Sequence, residues 1–151
     1  MTSFLQNLLI AHVLLGILGV GAVYGVWMGF MKHRISWKFL QCVSFLGLLF
    51  FVLSWLSGGY YYATYYGKAV KPIIQKGAYP WAHALIMEFK EHAFLLLPFL
   101  AAVIFLTLWL GRAHLEQDEQ LRRAFVRLVG FTAVLAILIA ASGILISGAV
   151  R

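Results

Sequence analysis

A chain of 151 residues in which 63% are hydrophobic and 11% charged is not built like a soluble domain. A formal charge of +7 raises the question of nucleic acid. The basic residues lie mainly in loops and at the ends of apolar runs, however, which is the pattern of membrane anchoring and argues against nucleic acid as a partner. The single cysteine, Cys42, excludes an internal disulfide.

A hydrocarbon core of roughly 30 Å takes about 20 helical residues to cross. The apolar runs predict spans at about residues 4–30, 39–58, 80–111 and 126–150, with an outer loop at 59–79. The expected fold is all-α, a single transmembrane domain over 1–151 folded as a four-helix up-and-down bundle. The first run follows a stretch without Lys or Arg and is too long for the apolar part of a signal peptide, so it reads as a retained helix.

In the first span, His12, Gly16, Gly19, Ala22, Gly25 and Gly29 recur at helical spacing and share one face. Small residues in a bilayer let a neighbouring helix approach closely. With a histidine at the head of the groove, the same face is a candidate bed for a flat cofactor, against Gly16 and Gly19. The turn MKHRISWK then carries Lys32, Arg34 and Lys38. In the second span, Ser44, Gly47, Ser54 and Gly58 read as packing positions.

The segment that follows holds Tyr60, Tyr61, Tyr62, Tyr65 and Tyr66 and is punctuated by Gly58, Gly59, Gly67, Pro72, Gly77 and Pro80. It reads as an interfacial loop. Pro80 suits the first turn of the third helix, and Pro98 is expected to kink it.

The mouth of that span, WAHALIMEFKEHAFLLLPF, gathers His83, Glu88, Lys90, Glu91 and His92. Ionisable groups there are usually kept for function. Glu88 and His92 are four residues apart and share a face, whereas His83 and His92 point to opposite sides. His83 is expected to be exposed, and Glu88 and Glu91 individually to pair with a lysine of the outer loop. The loop between the last two spans carries Arg112, Arg122, Arg123 and Arg127 against Glu116, Asp118 and Glu119, and the last span has its own small stripe of Gly130, Ala133, Ala136, Ala140, Gly143 and Ser147. Trp27, Trp37, Trp55, Trp81 and Trp109 fall near span ends, where the indole ring anchors at the interface. The excess of basic residues in the two short loops predicts that these face the cytoplasm, with both termini on the outer side of a prokaryotic plasma membrane.

His12 and His92 fall at similar depth on helices that run in the same direction. The sequence therefore predicts a b-type haem near the outer face, ligated by His12 and His92 and with Lys90 near its propionates. A quinone or an outer-side carrier is the expected electron partner. The layout resembles that of four-helix membrane cytochromes b in the number of helices and the pair of intramembrane histidines. Two alternatives stand beside it. One is a zinc, copper or iron site built from His12, Glu88 and His92. The other is a structural subunit whose glycine grooves dock helices of other membrane subunits or of a second copy. His33 and His114 are assigned no role.

Overall fold

A computed structural model of the chain describes residues 2–32 and 34–149. His33 and Arg151 lie outside the described residues. The chain is helical throughout, with no strand among the described residues, and four helical stretches are long and apolar enough to cross a membrane: Ser3–Phe30, Trp37–Lys76, Ala82–Leu110 and Glu119–Gly148. The apolar helices identify a bilayer as the environment of an integral membrane protein.

The first stretch is α1 (Ser3–Phe30). The second is built of α2 (Trp37–Tyr61), a π-helical segment (Tyr62–Val70) and α3 (Lys71–Lys76). A second π-helical segment (Ala82–Met87) leads into α4 (Glu88–Leu110). The short α5 (Arg112–Gln117) precedes α6 (Glu119–Gly148). Helix α1 packs on α2 and α6, and α4 packs on the same two, so that α1 and α4 stand diagonally across the bundle.

The α1–α2 hairpin follows from the glycine stripe. Gly16 faces Ser54, Gly19 faces Phe51, Gly25 faces Val43 and Gly29 faces Leu40. The partner's number falls as the glycine's rises, which is the signature of an antiparallel zipper. Gly47 of α2 reciprocates by receiving Ala22. Phe51 and Leu40 are almost completely buried in these notches, and the close approach supplies the dispersion contacts that hold helices together in lipid. The groove expected to bed a flat cofactor is thus filled by α2.

On α6 the small stripe is again a packing face. Gly130, Ala133 and Ala136 are buried, and Gly130 receives Trp27. Trp27 is accordingly a packing residue of the α1–α6 contact. The start of α6 is set by Asp118, whose Oδ1 accepts from the backbone N–H of Leu121 at 2.9 Å, so this helix begins at 119, ahead of the 126 expected from hydropathy. Arg112–Glu116 and Arg123–Glu119 are i,i+4 ion pairs on exposed surface. Such pairs add little stability, and Glu116→Gln is expected to leave the melting temperature of the purified protein unchanged within error.

The expected loop 59–79 is for the most part helical. Tyrosine rings four residues apart stack along it, Tyr62 on Tyr66 with centroids 5.2 Å apart, and Ile74 is fully buried. A backbone entering the interface satisfies its own N–H and C=O groups most readily as a helix, which outweighs the glycine punctuation. Pro72 falls in the first turn of α3, where its missing N–H costs little. Helix α4 also continues through Pro98.

Candidate functional site

At the end of the bundle where α1 begins and α6 ends, a partly enclosed cavity of about 600 Å³ opens among α1, α2, the first π-helical segment, α4 and α6. Its walls include His12, Trp55, Tyr62, Tyr66, Lys90 and Glu91. The size falls within the range of small-molecule sites, about 300–1,000 Å³.

His12 is the next tooth of the α1–α2 zipper, with its imidazole against Gly58. Its Nδ1 lies 2.8 Å from the carbonyl oxygen of Ser54, and the Ser54 hydroxyl, 3.0 Å from Nδ1, donates to the His12 carbonyl at 2.9 Å. A carbonyl only accepts, so Nδ1 carries the proton and Nε2 of the neutral ring is the acceptor. Ser54 is fully buried, and Ser54→Ala removes the hydroxyl that ties the two helices here. The expected cost is about 1–3 kcal/mol, read as a lower melting temperature together with greater mobility of the His12 ring in NMR spectra.

Across the bundle the position expected for His92 is taken by Phe94, whose ring meets His12 edge-on with centroids 5.6 Å apart. His92 is exposed and bonds through Nδ1 to the carbonyl of Glu88, 2.7 Å away on its own helix. Glu88 is exposed as well. Neither lines the cavity, and no cluster of three or more His, Cys, Asp or Glu side chains able to hold a metal occurs among the described residues. The His12, Glu88 and His92 set is therefore not assembled, and two histidines do not converge on one cofactor plane.

Lys90, in contrast, does face the cavity, its ammonium lying against Gly143 of α6. Beside it, Glu91 replaces Glu88 as the carboxylate of the site. Its Oε1 is buried and has no hydrogen-bond partner among the described residues. Tyr62 lines the same cavity as Glu91. Behind these residues Tyr66 is 4% exposed and His83 3%, and the Tyr66 hydroxyl lies 3.2 Å from His83 Nδ1. His83 is thus a buried support for the tyrosine wall and not the exposed residue that the sequence suggested. His83→Ala leaves the Tyr66 hydroxyl without this partner in an apolar cap. It should lower the melting temperature by an amount that Tyr66→Phe in the same background does not increase, because the two changes delete one interaction.

A signal for this arrangement was present in the spacing. The buried positions of α4, Ala93, Leu97, Ala101, Ile104 and Leu108, extended outward by a turn, reach Lys90. His92 belongs to the opposite stripe, with Leu96, Phe99, Val103, Leu106 and Leu110, all exposed. Comparison with protein families, with curated proteins and with solved structures found no match to the chain.

Proposed function

We propose that this protein binds a quinone-class molecule, a planar aromatic head on an apolar tail, in the cavity between His12 and Glu91. The observation that carries the reading is the convergence of His12, Lys90 and Glu91 on one tyrosine-walled cavity, with Glu91 Oε1 buried at its wall and without a hydrogen-bond partner among the described residues. Buried polar atoms are as a rule satisfied, and once the Glu91 carboxylate turns toward the cavity a hydroquinone hydroxyl supplies the missing donor. The cavity offers acceptors in Glu91 and in Nε2 of His12, and donors in the Lys90 ammonium and the tyrosine hydroxyls. A head that alternates between carbonyl and hydroxyl uses both kinds. Lys90 and Glu91 have opposite formal charge, which suits a neutral head better than a fatty-acid carboxylate or a cation. The surrounding tyrosines give a flat ring its stacking partners. With the basic loops cytoplasmic, the site lies toward the outer leaflet, and the chain serves as a quinone-binding membrane subunit.

Trp55 lines the cavity and provides the assay. A short-chain quinone added to the protein in nanodiscs should quench tryptophan fluorescence saturably, and Trp55→Phe should remove most of the saturable part. Glu91→Gln and Lys90→Met should each weaken binding by roughly tenfold, since a hydrogen bond to a charged group contributes about 1.5–3 kcal/mol. Quenching that rises linearly with quinone and is the same in every variant, as for simple partitioning into lipid, would refute the reading.

A second reading keeps b-type haem, with His12 as its one histidine ligand. It is favoured by the Nδ1 bond of His12 to a backbone carbonyl, the arrangement that orients a metal-ligating imidazole. A Soret band that disappears in His12→Ala and persists in His92→Ala supports it. A colourless protein that binds quinone supports the first reading alone.

A further inference from the structure

At the opposite end of the bundle a recess of about 320 Å³ lies between Phe30 at the end of α1 and Arg122, Arg123, Val126 and Arg127 in the first turns of α6. The acidic side chains of this end are already engaged. Glu116 pairs with Arg112, Glu119 pairs with Arg123, and Asp118 caps α6. Arg122 and Arg127 have no ion-pair partner among the described residues, and Arg122 is half-buried beside the recess. Arg122, Arg123 and Arg127 thus border one concave space, and Glu119, bonded to Arg123, is the one carboxylate among the described residues that pairs with any of the three.

The walls also carry an apolar part. Phe30 packs edge-on against Phe125 with centroids 5.8 Å apart, and Val126 borders the recess from α6. From Leu128 onward α6 is almost wholly apolar, so the arginines stand where the helix enters the hydrocarbon region. Guanidinium groups bind phosphate oxygens through paired hydrogen bonds, and basic recesses between membrane helices take anionic headgroups. We propose that this recess is a binding site for the phosphate of an anionic phospholipid, held by Arg122 and Arg127, with Phe30 and Val126 against the glycerol and the first acyl carbons.

The test uses the full chain in a neutral detergent, given a mixture of phosphatidylglycerol and phosphatidylcholine of matched acyl chains, with retained lipid read by native mass spectrometry. Phosphatidylglycerol should be retained preferentially, as one tightly held molecule per chain. The double variant Arg122→Gln/Arg127→Gln, with its unchanged elution volume and melting temperature confirming the fold, should lose that preference by roughly tenfold or more. Lys68→Gln/Lys71→Gln, at the other end, should keep it. Equal retention of the two lipids, or a preference that survives loss of the two arginines, would overturn the site. Displacement of the lipid by millimolar inorganic phosphate would overturn the assignment to a phospholipid, because the apolar contacts would then contribute nothing.

Discussion

Gly19→Leu should cause a large loss of stability. A Cβ at this position would stand 2.7 Å from two ring carbons of Phe51, a side chain that is 1% exposed and has no room to turn away. The helices must separate, and the neighbouring contacts of Gly16 with Ser54 and Gly29 with Leu40 loosen with them, since all lie on one seam. Overpacking of this kind costs about 1–3 kcal/mol even where the backbone relaxes, against a total margin of about 5–15 kcal/mol for a typical domain. Thermal denaturation in detergent should show a large fall in melting temperature, or loss of the monodisperse species. Gly21→Leu is the matched control, because a Cβ there meets nothing within 4 Å, and it should behave as the parent. Gly19→Ala combined with Phe51→Leu should recover part of what Gly19→Ala loses, the non-additivity expected of residues in contact. If Gly19→Leu and Gly21→Leu are equally stable, the α1–α2 seam is not as described.

Gly58→Leu should weaken ligand binding at least tenfold. Its Cβ would collide with the imidazole of His12, driving the ring off Ser54 or into the cavity. Either way the acceptor on α1 leaves its place opposite Glu91, and the expected loss is at least tenfold in affinity, about 1.4 kcal/mol. Gly21→Leu, whose Cβ meets nothing within 4 Å and which does not line the cavity, should leave binding intact. Retained affinity in Gly58→Leu would place the ligand elsewhere.

The bundle was legible in the sequence because hydropathy and helical spacing act through the chain's own geometry. The stripe of Gly16, Gly19, Gly25 and Gly29 marked the face on which α1 packs, and the apolar runs marked the spans. What fills a groove of small residues is a different matter. Phe51 and Leu40 are ordinary apolar residues within α2, and nothing local distinguishes a knob for that groove from a lipid-facing side chain. The candidate site was legible in part. His12 and Lys90 do line one cavity, whereas only depth relates His92 to His12, and depth does not fix azimuth. Tracing the stripe outward from Leu97 would have selected Lys90 and passed over His92. Glu91 reads in the sequence as a surface carboxylate beside lysines, and only the three-dimensional structure reveals a buried Oε1 without a partner among the described residues. The helical character of 62–76 and the burial of His83 depend on contacts between segments that the sequence keeps apart.

Photolabelling with an azidoquinone, followed by peptide mapping, tests the assignment of the cavity most directly. Label should concentrate within 61–66 and 87–95, be suppressed by excess unmodified quinone, and fall sharply in Glu91→Gln. Label spread over the lipid-facing residues Ile17, Leu96, Phe99 and Ile137, and indifferent to competitor, would contradict it.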